Sequence, residues 1–391
     1  MKKLEQSISL RKSKEIQVLV LSSAFPPQHT GSGLLIKGII NKLEEQDSTK
    51  YRFSVYCFTS REIPKFNPDE IKVNFYRTDR GLLKYITGII SFYNSFFKSD
   101  ILLIINLVQP LILLAQIAAL ISRKKIIIEP AIQEEKLSGY IRKIYKFITY
   151  RYFFKRLSSY TPGLSQMFID YGFNGKVYDI GAQVDLRKFY PGNKSKCREL
   201  LNLRYQGKFL FTFVGAMSER KGIDRIVRLL EIKEYNEDFL INLVGPDTEF
   251  FQNIIEEDKY GICKHINSGR LNFVLGLNDR VNEYLRSSDF LLLPTRKEAF
   301  GAVLIEALAS GAIPIATRIE GVTDSFLNNS NSLLCENTFA SFKETFEEAL
   351  ELKDKVRKEI REQGIKDAQA FSLENISSRY DKMFYDVLKN D

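Results

Sequence analysis

Short, continuous apolar runs alternate along this chain with longer stretches in which apolar residues recur every three or four positions. In the first half the runs are residues 16–23 (IQVLVLSS), 53–59 (FSVYCFT), 101–107 (ILLIINL) and 125–130 (KIIIEP). In the second half they are FTFVG from Phe211, then residues 240–247 (LINLVGPD), 274–279 (VLGLND) and 290–294 (FLLLP). Runs without polar alternation read as strands covered on both faces, and helical stretches between them predict parallel sheets wound with helices, an α/β fold. One helix is well bounded: residues 302–310 follow Gly301 and close at Gly311 and Pro314.

Residues 101–121 are apolar enough to resemble a membrane span, but Pro110 divides them. They fall where the alternation needs a buried strand followed by a helix, so the pattern predicts core and no span. A chain of 391 residues exceeds what one core serves. We expect one wound α/β domain over 1–190, a second over 191–370 and a final helical segment over 371–391, with the linker near residues 190–208, where PGNKSK is polar and turn-rich. There is no internal repeat and no low-complexity tract.

The stretch KEAFGAVLIEALASG sets Glu298 and Glu306 around a phenylalanine-glycine turn that hands a strand to a helix N-terminus. Unpaired N–H groups and a partial positive charge make that terminus a phosphate site, and Gly301 has no Cβ to block the approach over Ala302 and Val303. Carboxylates only accept hydrogen bonds, which suits sugar hydroxyls. Taken alone, Glu298 also reads as a helix-dipole partner and Glu306 as a solvated helix residue. Arg220 and Lys221, just before Gly222, can clamp a diphosphate, the first as a bidentate donor and the second as a point charge; in isolation they are a solvated basic corner.

These motifs do not stand alone. VG…RKGID (Val214, Gly215, Arg220 to Asp224), LINLVGPD, VLGLND, the paired glutamates and IEGVTD (Ile319 to Asp324) follow in an order that resembles the donor-binding domain of family 4 retaining glycosyltransferases of the GT-B fold. The resemblance covers most of residues 205–340 and continues more weakly over 15–190. It implies two Rossmann-like domains with parallel sheets facing across a cleft, and a last helix that crosses back to the first domain. It also implies a nucleoside-diphosphate sugar donor, UDP-linked by preference and GDP-linked as the alternative, and a glycan or lipid-linked acceptor, as in cell-surface polysaccharide or glycolipid synthesis. Arg220, Lys221 and Glu298 would then be catalytic. Gly215, Gly245, Leu277, Phe300, Gly301, Ala302, Val303 and Glu306 would line the donor, with Glu298 on the transferred sugar and Glu306 on the ribose. The chain departs from the pattern at Ala216, where many members carry arginine, and at Glu129-Pro130-Ala131, where some offer a histidine; His265 lies in the other domain.

Gly31 and Gly33 sit in FPPQHTGSG ahead of apolar Leu34, Ile36, Ile39, Ile40 and Leu43, so they read as a loop opening a helix. A lone G-x-G is either a turn or an anion loop, and the resemblance assigns it to a loop that meets the donor pyrophosphate and the acceptor. His29 reads either as an exposed loop residue or as an acceptor contact.

Charge is uneven. Residues 1–188 hold 29 Lys and Arg against 16 Asp and Glu, while the rest hold 28 against 32. Much of the excess lies from Lys136 to Tyr160, where seven basic residues and eight Tyr or Phe occur with no acidic one. On a helix that mixture suits an anionic membrane surface; it suits equally a surface helix whose aromatics pack inward, and no nucleic-acid motif accompanies it. Cys57, Cys197, Cys263 and Cys335 have no paired spacing, so neither disulfides nor zinc are expected, and without a D-x-D a divalent metal is not expected either. The first residues lack the apolar region of a signal peptide, which predicts a cytoplasmic protein, peripheral at the inner membrane face if the basic segment binds lipid. Two other functions fit the motifs: a sugar-nucleotide epimerase of the same fold, and a catalytically silent sugar-nucleotide binding protein, the latter suggested by Ala216 and the missing histidine.

Overall fold

The computed structural model describes residues 15–26, 31–59, 72–77, 82–105, 111–122, 125–130, 140–203, 209–231, 239–276 and 279–389. His29, Pro110, Lys136 and Leu277 lie outside them. The chain divides into two compact units, one of residues 1–160, 165–180 and 376–391, the other of residues 161–164 and 181–375.

The first unit is a seven-stranded sheet in the order β3-β2-β1-β4-β5-β6-β7, with every pairing parallel. In chain order it runs β1 (Ile16–Ser22), α1 (Gly31–Gln46), β2 (Tyr51–Thr59), β3 (Lys72–Arg77), α2 (Leu82–Lys98), β4 (Ile101–Ile105), α3 (Leu111–Ile121) and β5 (Lys125–Glu129). It continues with α4 (Tyr140–Ile148), a π-helical turn (Thr149–Phe153), β6 (Arg156–Ser159), α5 (Pro162–Asp170) and β7 (Lys176–Asp179). All five residues of β4 are buried, as a parallel strand covered on both faces requires.

The second unit is a six-stranded parallel sheet, β10-β9-β8-β11-β12-β13. Its order along the chain is α6 (Lys194–Leu200), β8 (Phe209–Val214), α7 (Ile223–Arg228), β9 (Phe239–Gly245), α8 (Glu249–Glu256), α9 (Ile262–Asn267), β10 (Leu271–Leu275) and α10 (Val281–Ser287). Then come β11 (Phe290–Leu293), α11 (Ala302–Ser310), β12 (Ile313–Thr317), β13 (Leu333–Cys335), α12 (Phe339–Glu351) and α13 (Asp354–Ala368); the last helix, α14 (Leu373–Lys389), belongs from residue 376 onward to the first unit. Phe211 fixes the middle of this core, with its ring 5.0 Å from that of Phe290 and 4.6 Å from that of Phe346.

Several expectations change. The PGNKSK stretch is no linker: Asn193 caps α6, and Lys194 and Arg198 hold Asp289 at 2.5 and 2.9 Å, while the division between units falls at Gly181. Gly31 and Gly33 do not form a loop; α1 begins at Gly31, and Gly33 is buried within it. The basic, aromatic segment is not one helix but α4, the π-helical turn and β6. Its aromatics divide accordingly, Tyr150, Phe154 and Tyr160 being buried and Phe147 and Tyr152 exposed. Residues 111–121 do form a helix, yet one side of it is exposed. No described helix is long and apolar enough to cross a membrane. All four cysteines are free thiols.

The end of α14 is held within the first unit by polar groups. Tyr380 donates to Glu129 Oε2 at 2.6 Å, and the same buried carboxylate accepts from Ser158 at 2.7 Å and Tyr160 at 2.6 Å. Burial pushes the Glu129 carboxyl up, and the three hydroxyls offset part of that. Asp381 binds Lys50 and Tyr51, while Asp386 binds Lys176 and Tyr178. Glu129, the last residue of β5, thus has both carboxylate oxygens bound by hydroxyls. Tyr380→Phe should lower stability by about 1–3 kcal/mol, because it removes one donor from a buried carboxylate; a fall in the denaturant midpoint at constant slope measures this.

Candidate functional site

Two parallel strands of the second unit end side by side in glycines. Gly215 follows β8 with φ 146°, Gly245 ends β9 with φ 142°, and a Cβ on Gly245 would stand 2.2 Å from the Gly215 carbonyl oxygen. Only glycine permits that backbone approach. A Cβ on Gly215 would in turn stand 4.0 Å from Lys221 Cε, so the lysine stem runs past this strand end.

Lys221 closes a single 3₁₀ turn, Glu219–Lys221, and Gly222 then takes φ 76° to start α7. The ammonium of Lys221 is ion-paired and hydrogen-bonded to Glu298, with side chains only 14% and 12% exposed. Neighbouring contacts fasten the loop before α11 onto this turn. Arg296 N donates to the Arg220 carbonyl at 2.7 Å, as does the Thr295 hydroxyl at 3.1 Å, and Arg220 Nη1 donates to the Lys297 carbonyl at 3.0 Å. The Arg296 guanidinium grips Asp224 through two parallel bonds of 2.8 and 2.7 Å, which raises the arginine pKa further. Arg225 is buried beneath, donating to the Pro294 and Asn337 carbonyls, and burial lowers its pKa.

Gly301 holds the left-handed conformation, φ 83° and ψ 60°, and α11 starts immediately after it without a side-chain cap. A Cβ there would meet Leu304 Cδ1 at 2.8 Å and Glu298 Cγ at 3.3 Å. The half-buried Ala302 and Val303 supply helix-start N–H groups that have no intrahelical acceptor. The ring of Phe300 is buried 4.9 Å from Phe326 and 5.8 Å from Phe371, which anchors the turn. Thr161, which sorts with this unit, adds a hydroxyl bond to the Ala299 carbonyl at 3.1 Å.

Glu306 lies one helical turn further along α11 and is partly buried. Burial pushes its carboxyl up to about 7, with the charge of Lys188 pulling the other way. Such a group titrates in the neutral range and becomes a better hydrogen-bond acceptor when ionised. The turn thus combines cations at Arg220 and Lys221, open N–H groups at Ala302 and Val303, and carboxylates at Glu298 and Glu306. It can hold a molecule with phosphates in its middle and hydroxyls at its ends.

The structure therefore brings Gly215, Gly245, Lys221, Glu298 and Gly301 together within the second unit, whereas Gly31 and Gly33 belong to the first. Sequence reading missed Arg296 and gave Asp224 no partner, since each is an ordinary charged residue and their pairing joins positions far apart in the chain. It also missed Lys188. His265 offers no base: it is buried in α9, where burial and the Arg270 charge lower its pKa.

A family model described as glycosyl transferases group 1 matches residues 202–367. The N-acetyl-alpha-D-glucosaminyl L-malate synthase of Bacillus anthracis is 33% identical over 221 residues, 56% of this chain and 56% of that protein. The chain spans about half the length, or less, of the curated relatives it matches. Among solved structures, sucrose-phosphate synthase from Thermosynechococcus elongatus superposes with a TM-score of 0.77 at 17% identity, covering 96% of this chain and 100% of that one. Anabaena Alr3699/HepE, solved in complex with UDP and glucose, gives 0.75 at 16% identity, covering 95% and 100%. At such identities the likeness shows the fold, GT-B, with two α/β units each built on a parallel sheet.

Proposed function

We infer that this chain, whose residues 202–367 match the glycosyl transferases group 1 model, is a glycosyltransferase that moves one sugar from a nucleoside-diphosphate sugar to a hydroxyl acceptor. The observation that carries this reading is the Lys221–Glu298 pair set against the left-handed Gly301 at the start of α11. A departing diphosphate gathers negative charge, and Lys221, Arg220 and the N–H groups of Ala302 and Val303 are fixed in advance to meet it. Glu298 accepts hydroxyls of the transferred sugar and Glu306 those of the ribose. The bond from the anomeric carbon to phosphate breaks, the bond to the acceptor oxygen forms on the same face with retention, and the acceptor proton passes to the departing phosphate. Two protein cations stand where a metal would otherwise balance the diphosphate, so the reaction is proposed to need no metal.

UDP is the preferred donor nucleotide in this reading, in keeping with the UDP bound by one protein of like fold. The acceptor is proposed to be a glycan or lipid-linked glycan of the cell surface, met at the cytoplasmic side of a membrane. Exposed Lys143, Arg151 and Lys155 beside Phe147 and Tyr152 give the first unit a cationic, aromatic surface suited to anionic headgroups.

A thermal-shift series with UDP, GDP and ADP sugars, followed by mass spectrometry of the products, tests the reading. A UDP sugar should raise the melting temperature most, because a ligand of the native state stabilises it, and should lose its sugar to an acceptor or slowly to water. Binding without transfer or hydrolysis would point to a silent binding protein. Conversion of the sugar with no acceptor present would point to an epimerase. No shift with any donor would overturn the reading altogether.

A further inference from the structure

Surface helices of a globular unit usually turn a polar face outward. In the first unit two neighbouring helices do the opposite. On α2, Gly88, Phe92 and Phe96 are buried, whereas Leu83, Ile90 and Phe97, seven residues apart, are exposed, Leu83 to 75%. Helix α3 has no charged residue at all, and its Ile117, Leu120 and Ile121 are exposed, Leu120 to 74%. The helices touch: Tyr93 of α2 donates to the Leu114 carbonyl of α3 at 3.0 Å, and Gln116 of α3 donates to Thr149 of the π-helical turn at 2.9 Å. Both follow strands that step across the sheet in the same direction, so right-handed crossovers set them on one face.

The charge around this apolar face has one sign. No Asp or Glu occurs in α2, α3, α4 or the π-helical turn, while Lys84, Lys98, Lys143 and Arg151 are exposed there. We propose that the outer face of α2 and α3 inserts into the boundary between headgroups and acyl chains of an anionic bilayer, with the surrounding cations on the headgroups. Lipid meets both halves of this chemistry, apolar centre and cationic rim. A second copy of the chain would bring like charges together around the same patch. The inference rests on the membrane contact proposed above for Lys143, Arg151 and Lys155 and adds to it an apolar, salt-resistant component; it is independent of the transfer chemistry.

Co-sedimentation of the full chain with phosphatidylcholine vesicles, and with vesicles that also contain phosphatidylglycerol, at low and high salt, tests this. The anionic vesicles should pellet the protein at low salt, and a fraction should stay bound at high salt, because apolar insertion is not screened. Replacing Ile117 and Leu120 together by Glu should reduce that salt-resistant fraction at least about tenfold, as should the same change at Leu83 and Ile90. Both pairs are exposed, so the melting temperature and its shift by nucleotide should stay as in the unaltered chain. Complete release at high salt would overturn the insertion while leaving the electrostatic contact standing. Absence of binding even at low salt would overturn both. Unchanged partition of the variants would also overturn it, as would a loss of self-association in gel filtration with no change on vesicles, which would assign the face to a second copy.

Discussion

Lys221→Ala should lower kcat about a thousandfold at saturating donor, the effect expected when a fixed cation facing a developing oxyanion is removed. It should also destabilise the second unit by about 1–3 kcal/mol, since the Glu298 side chain is left in a largely covered position without its ion-pair partner. The two effects separate in a second variant. Replacing Lys221 by Met and Glu298 by Gln together removes both charges, so the melting temperature should return towards that of the unaltered protein while turnover stays lost. Stopped turnover with restored stability assigns the pair to chemistry. Turnover that recovers along with stability would make the pair a structural fastener, and undiminished kcat in Lys221→Ala would remove it from the mechanism.

Glu306→Gln should weaken nucleoside diphosphate binding at pH 8 by about ten- to a hundredfold, because hydrogen bonds from ribose hydroxyls to a carboxylate are replaced by bonds to a neutral amide. The effect depends on pH with a definite sign. The carboxyl ordinarily titrates near 4.5 and here is pushed up to about 7, so between those values the folded chain holds a proton that the unfolded chain has released. The contribution of Glu306 to stability is therefore full at low pH and is lost as pH rises from 4.5 through about 7, on the order of 1–3 kcal/mol. Without ligand the Gln variant should thus be the more stable protein at pH 8. Binding runs the other way: only the ionised form accepts both hydroxyls, so affinity in the unaltered chain should rise through about pH 7 and in the variant should not. Calorimetric titrations across this range, with the variant's profile subtracted to remove the phosphate's own titration, give the test. Parallel profiles would mean that Glu306 does not touch the nucleotide.

Much of the site's frame is legible in the chain. Helix α11 occupies Ala302–Ser310 because Gly301 and Gly311 bracket it with left-handed conformations that a residue with a side chain resists. The buried strands β4 and β11 announce themselves as unbroken apolar runs, and β1 and β9 as runs interrupted inside only by Gln17 and Asn242, since both faces of a parallel strand are covered. Strands β6 and β7 do not: RLSS and KVYD are short and polar. Ser158 of β6 is buried only because Glu129 accepts its hydroxyl bond, and β7 lies at the sheet edge with its ends exposed.

What the sequence by itself determined was the class of fold, the bounds of the helix at the candidate site and the residue types that meet phosphates and hydroxyls. These follow from local rules, periodicity, left-handed glycines and helix-start N–H groups, each complete within a few neighbouring positions. Only the tertiary structure decided that Lys221 meets Glu298, that Arg296 grips Asp224, that Tyr380 closes on Glu129, and that Glu306 titrates near neutrality. Those outcomes depend on which distant segments are brought within a few ångströms and on how much water they exclude. Helix α3 gives the same lesson from the opposite side: its composition reads as core, and only packing reveals that one face was left uncovered.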